Sequence, residues 1–142
     1  MKIFLTGATG YIGNNIAREL ASQGHCIHVL IRNPETSVDL HHSNIRIFKG
    51  DITDINSIIP AIKDCEQVYH TAAFTKMQAY DRSKFYSINT SGTGNVLEAA
   101  YSEGVKKLVF TSSASVFGPS LPFPSVLHRS ALDSAPRFAA RA

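Results

Sequence analysis

The chain alternates between short runs of consecutive apolar residues and longer stretches where apolar residues recur every three or four positions. Residues 2–6, Lys-Ile-Phe-Leu-Thr, are apolar except at their ends, the pattern of a strand buried on both faces. Ile12, Ile16 and Leu20 then recur at helical spacing with Ala17 and Ala21 beside them, and Gly24 supplies a stop. Residues 25–31 and 45–48 predict a second and a third strand. Residues 51–54 offer turn and capping groups before Ile55, Ile58, Ile59 and Ile62, another helical stripe. Residues 67–70 predict a fourth strand, residues 82–103 one long helix ended by Gly104, and residues 107–111 a fifth strand. Strands separated by helices pair in parallel through right-handed crossovers. The expected fold class is therefore α/β, a doubly wound parallel sheet of about five strands.

From Ser112 the pattern fades. Residues 112–142 are rich in Ser, Pro and Ala, lack lysine and show no clear period, which predicts a flexible tail. The expected division is a domain over residues 1–118 and an irregular tail over 119–142. Hydrophobic residues at 44% and charged residues at 18% of 142 suit one globular domain with a real core. No apolar run approaches the roughly 20 residues of a membrane span, and the apolar start is too short for a signal peptide. A cytoplasmic location without a membrane partner is expected. The net charge of +3 comes from scattered basic residues, so no nucleic-acid partner is expected. Cys26 and Cys65 form no CxxC pair and read as small buried thiols. His25 and His28 would face opposite sides of a strand, and His41-His42 has no neighbouring ligand cluster, so no metal site is expected.

The candidate chemistry begins at Gly7-Ala8-Thr9-Gly10-Tyr11-Ile12-Gly13, which follows the first strand and opens the first helix. Such a turn leaves backbone N–H groups aimed outward at the helix start, where the helix dipole adds partial positive charge. A diphosphate suits that place. Glycine is required where a Cβ would block the phosphates or the packing of helix on sheet. A tight turn serving only the fold is the alternative.

The spacing is G-x-x-G-x-x-G, and further segments follow in order: Gly50-Asp51-Ile52-Thr53-Asp54, His70-Thr71-Ala72-Ala73, Asn89-Thr90-Ser91-Gly92-Thr93-Gly94-Asn95-Val96-Leu97-Glu98-Ala99-Ala100, and Phe110-Thr111-Ser112-Ser113-Ala114-Ser115-Val116-Phe117-Gly118. Together they cover residues 1 to about 124 and resemble the extended short-chain dehydrogenase/reductase family. That family contains nucleotide-sugar epimerases, dihydroflavonol reductases and 3β-hydroxysteroid dehydrogenases. The resemblance implies a Rossmann-type NAD(P)-binding fold, oxidoreductase or epimerase/dehydratase chemistry, and a small-molecule substrate in full-length relatives. It places Gly7, Thr9, Gly10, Tyr11, Ile12 and Gly13 at the cofactor. It sets Asp51 on the adenine edge and Ile52 on its face, although Asp51 also reads as a turn former. Ala72 and Ala73 would let the cofactor approach, or serve loop packing alone. Asn89 would support the active site or bond backbone locally, and Thr111 is a further cofactor-side position. Gly92 and Gly94 would permit close helix–sheet packing. Ser113 resembles the family's catalytic serine, whose hydroxyl bonds the reacting substrate oxygen.

Arg32 ends the second strand, where an acidic residue would accept bonds from an NAD ribose. A guanidinium cannot accept them but can grip a 2′-phosphate, which favours NADP over NAD. A solvated surface arginine is the plain alternative.

The resemblance also implies a tyrosine, and a lysine four positions later, downstream of the serine. This sequence has no tyrosine after Tyr101 and no lysine after Lys107. Tyr80-Asp81-Arg82-Ser83-Lys84 has the spacing but precedes Ser113. The expectation is a fragment or truncated product, the cofactor-binding half without the catalytic pair, whose fifth strand would lie at an open sheet edge and invite self-association. The alternative is a non-catalytic dinucleotide-binding sensor or scaffold module.

Overall fold

The computed structural model describes residues 1–36, 40–75, 82–113 and 116. The chain divides into two units, Met1–Thr111 and Ser112–Ala142. The boundary expected after residue 118 and the tail over 119–142 lie outside the described residues.

The first unit is a five-stranded parallel sheet with helices on both faces. In chain order it runs β1 (Lys2–Thr6), α1 (Tyr11–Ser22), β2 (Cys26–Ile31), a 3-10 turn (Pro34–Thr36), β3 (Ile45–Lys49) and α2 (Ile55–Ile62). It continues with β4 (Gln67–His70), α3 (Arg82–Phe85), a π-helical segment (Tyr86–Gly92), α4 (Thr93–Ser102) and β5 (Lys107–Phe110). The sheet order is β3-β2-β1-β4-β5, every pairing parallel. The chain winds outward from β1 through β2 to β3, then returns past β1 to lay down β4. The order therefore reverses between β1 and β4, and their carboxyl ends part there to leave a crevice.

Alternate residues of one strand feed two cores. Ile3 and Leu5 of β1, with Ile27, Val29 and Ile31 of β2, pack against Ala17 and Ala21 of α1. Phe4, Leu30 and Val68 point to the opposite face, against Ile58, Ala61 and Ile62 of α2 and Val96, Ala99 and Ala100 of α4. Burial on both sides is why the central strands are apolar without alternation.

Three sequence expectations change. The seam of α1 is Gly13, Ala17 and Ala21, all buried, rather than Ile12, Ile16 and Leu20. Small side chains bring the helix axis close to the sheet, and the larger ones flank the contact, with Ile12 left 53% exposed. The helix expected over 82–103 is broken into α3, the π segment and α4. Of the two glycines expected to pack there, a Cβ on Gly92 would meet Ile52 Cγ1 at 2.8 Å, whereas one on Gly94 would meet nothing within 4 Å among the described residues. Gly92 thus allows a close approach to a loop residue, and Gly94 makes no such approach to any described residue. Strand limits shift by a residue: His25 stands outside β2, its N–H bonded to Leu20 O at 3.1 Å in the exit of α1.

Candidate functional site

At the carboxyl edge of the sheet lies a cleft of about 210 Å³. Thr6, Gly7, Thr9 and Gly10 form one wall, following β1. Leu30, Ile31 and Arg32 come from the end of β2, and Gly50, Asp51 and Ile52 follow β3. The facing wall is Thr71, Ala72, Ala73 and Phe74 after β4, with Ile88 from the π segment.

The glycine turn is built by close approach. Gly7 has φ +81, and a Cβ there would lie 2.5 Å from Thr71 Oγ1 and 2.6 Å from the Ala72 nitrogen. A Cβ on Gly13 would collide with the Gly7 carbonyl oxygen. Gly10 N donates to Gly7 O at 3.0 Å, which closes the turn, and Asn14 N donates to Gly10 O at 2.9 Å, the first helical bond of α1. Gly10 gives α1 no side-chain cap, and the first turn holds no acidic residue. By contrast α2 is capped, with Asp54 accepting from Asn56 N at 3.0 Å. The α1 terminus is therefore the one of the two that retains its positive end for an outside anion.

The β4 wall is tied at both ends. Thr71 Oγ1 donates to Thr6 O at 2.8 Å, and Ala72 N donates to Thr6 Oγ1 at 3.4 Å. Farther on, Phe74 N donates to Asn89 Oδ1 at 2.7 Å and Asn89 Nδ2 donates to Phe74 O at 3.0 Å. Asn89 thus bonds backbone, but across to another loop rather than locally. The ring of Phe74 meets Phe85 edge-on, centroids 4.9 Å apart. Asp51 forms the expected turn, its Oδ1 accepting from Thr53 N and Thr53 Oγ1, both at 2.9 Å. Arg32 is exposed at the cleft rim. The ion pairs among the described residues, Lys2–Asp64 and Lys106–Glu66, do not involve it.

The cleft therefore brings together Gly7, Thr9, Gly10, Arg32, Asp51, Ile52, Ala72 and Ala73 from the sequence expectations. It is not lined by Tyr11, Ile12, Gly13, Asn89 or Thr111. Tyr11 is 88% exposed at the helix start, and Gly13 is buried beneath the turn. Thr111 follows β5, with its N–H bonded to His70 O at 3.0 Å. Ser113 belongs to the second unit, exposed, its carbonyl accepting from Val116 N at 3.2 Å. Tyr80 and Asp81 of the misplaced Tyr-Lys spacing lie outside the described residues. Among the described residues, no group of three or more His, Cys, Asp or Glu side chains could hold a metal ion. No described helix is long and apolar enough to cross a membrane.

The sequence placed His70 in a family-like segment but gave it no role of its own. It is 1% exposed, with Nδ1 2.6 Å from Thr6 Oγ1 and Nε2 3.0 Å from Thr93 Oγ1. Phe110 stacks on its ring at 5.3 Å. Burial lowers its pKa to about 4, so the ring is neutral at ordinary pH. The available signal was a histidine at the carboxyl end of a buried strand, where polar side chains need partners.

Residues 3–138 match the NAD-dependent epimerase/dehydratase family. The chain is 34% identical over 118 residues to sterol demethylase protein B of Methylococcus capsulatus, covering 83% of this chain and 36% of that protein. It is 31% identical over 121 residues to a 3β-hydroxysteroid dehydrogenase/Δ5→4-isomerase of Mycobacterium tuberculosis, covering 81% and 32%. The Thermus thermophilus UDP-glucose 4-epimerase in complex with NAD superposes with a TM-score of 0.75 at 27% identity, covering 88% and 42%. The strand order, the glycine turn and these matches agree: the chain belongs to the NAD-dependent epimerase/dehydratase family. It spans about a third of the length of the curated relatives it matches.

Proposed function

We propose that the cleft holds a nicotinamide dinucleotide, with the diphosphate at the N-terminus of α1, the adenine beside Asp51 and Ile52, and a 2′-phosphate at Arg32. The observation that carries this reading is the uncapped, acid-free start of α1 on a cleft whose glycine turn has no room for a Cβ at Gly7. NAD bound to the similar Thermus epimerase supports the class of ligand. When bound, the dinucleotide supplies the carbon that gives or takes a hydride. The residues of this chain bind and orient it. Amide hydrogens at the start of α1 neutralise phosphate charge, and the small side chains Ala72 and Ala73 allow close approach.

The preference for NADP rests on Arg32, whose planar fork matches a phosphate and cannot accept from ribose hydroxyls. Calorimetric titration with NADPH and NADH tests both parts. NADPH is expected to bind more tightly, and Arg32→Ala to remove about tenfold of its affinity while sparing NADH. Failure of both dinucleotides to bind a folded sample at millimolar concentration would overturn the reading. Equal binding of both by the unmodified chain would remove only the NADP preference.

In the whole protein the reaction is an oxidoreductase or epimerase step in a cytoplasmic setting, with Ser113 orienting the substrate oxygen. The 142 residues themselves hold no tyrosine after Tyr101 and no lysine after Lys107. They are therefore expected to bind the cofactor without turnover, which is also what a non-catalytic binding module would do. Oxidation of NADPH by a ketone, abolished in Ser113→Ala, would contradict that expectation.

A further inference from the structure

The buried histidine at the end of β4 has a defined hydrogen-bonding direction. Ala72 N–H can only donate, so Thr6 Oγ1 accepts from it at 3.4 Å. Thr6 is 1% exposed, and its own hydroxyl proton needs an acceptor, which the Nδ1 of His70 provides at 2.6 Å. Nδ1 is then the bare nitrogen and Nε2 carries the proton, which it donates to Thr93 Oγ1 at 3.0 Å. The series runs in one direction from a cleft-lining amide to the first residue of α4, which is also the residue that closes the π segment.

Both structures it touches shape the cleft. Thr6 holds the beginning of the β4 wall through Thr71 and Ala72. The π segment, fixed at its end by Thr93, carries Ile88 into the cleft and Asn89 onto the backbone of Phe74. We infer that His70 is a positioning residue for the dinucleotide cleft: as the Nε2–H tautomer it joins Thr6 to Thr93 and so holds residues 71–74 and Ile88 at the spacing the ligand requires. Burial keeps the ring neutral, which preserves the direction of the series at physiological pH. This inference rests on the proposed reading of the cleft as a dinucleotide site.

The test uses the full chain and two readouts. Nitrogen-15 NMR of the histidine rings reports the tautomer without any ligand. A protonated Nε2 with bare Nδ1 is expected for His70, and an Nδ1–H or doubly protonated ring at pH 7 would overturn the inference. NADPH titration then compares Thr6→Val with Thr6→Ser. Loss of the hydroxyl is expected to weaken binding about fivefold, and serine to restore it to within about twofold. Should Thr6→Val fail to fold, Thr93→Val carries the same comparison, with about threefold weakening expected. Cys65→Ala, buried against α2, controls for general loss of stability and should leave affinity unchanged. Equal affinity in the threonine variants, or equal weakening in the cysteine variant, would overturn the role of His70 alone. If the unmodified chain binds neither NADPH nor NADH, the reading of the cleft fails and this inference with it.

Discussion

Two buried histidines carry much of the pH dependence expected of single residues here. His70 has its pKa lowered to about 4 by burial. The unfolded chain takes up that proton first, near the ordinary histidine value of about 6.5, so it binds more protons than the native state between the two values. The stability is complete above 6.5 and falls as pH drops from 6.5 through 4. The loss from this one ring should reach about 3 kcal/mol at pH 4. Urea denaturation at pH 7, 5 and 4 measures it, and a His70→Asn variant that still folds should show a shallower decline. His28 adds in the same direction. It is 5% exposed, its pKa is lowered chiefly by burial, and its Nδ1 donates to Ala61 O at 2.8 Å. The Nε2 of that ring has no partner among the described residues, so a second proton there would go unsolvated.

At the scale of elements, the two glycines before and within α4 should respond oppositely. Gly94 stands in a helix with no described residue where a Cβ would go. Gly94→Ala should stabilise the chain by about 0.5–1 kcal/mol, because alanine loses less backbone entropy on folding. Gly92→Ala should instead push Ile52 toward the cleft and weaken NADPH binding, with stability lowered by about 1 kcal/mol or more. Thermal melts and a cofactor titration of the two variants check the pair. Helix α2 tests another rule. It contains Pro60, which lacks an N–H, yet continues to Ile62. Ile58, Ala61 and Ile62 are buried beneath it, and that burial outweighs the missing bond. A helix so short depends on its cap, so Asp54→Ala should cost about 1 kcal/mol, read from the midpoint of denaturation.

For the molecule as a whole, the described sheet ends at β5, which pairs with β4 on one side. Phe110 on that strand is 48% exposed. Among the described residues β5 has no second partner strand, and an edge left open beside exposed apolar surface favours pairing with another chain. Unless residues 112–142 cover that edge, the 142-residue chain should melt at a temperature that depends on its concentration and sediment partly as dimers. A reversible melt independent of concentration, with monomeric sedimentation, would contradict this. On the proposed reading of the cleft NADPH should raise the melting temperature, because a ligand that binds the native state and not the unfolded chain stabilises the fold.

The central strands β1 and β2 were legible in the chain because burial on both faces leaves a nearly unbroken apolar run, whereas the edge strands β3 and β5 were legible only as short apolar runs set between turn and helix signals. The glycine turn was legible for a similar reason: close approach of backbone to backbone demands glycine at particular positions, as Gly7 and Gly13 show. The site wall after β4 was legible only in part. Ala72 and Ala73 stood out as small residues, whereas Phe74 and Ile88 entered the cleft through a bond pattern that spans fifteen residues. The π segment, the seam of α1 and the burial of His70 were decided by tertiary contacts. Each depends on which neighbour lies across the gap, and chain order does not state that distance. Sequence thus determined the strands, their parallel pairing and the place of the glycine turn. The width of the cleft and the partners of its buried polar groups came from packing, where separate strands and helices must satisfy one another's donors and acceptors at once.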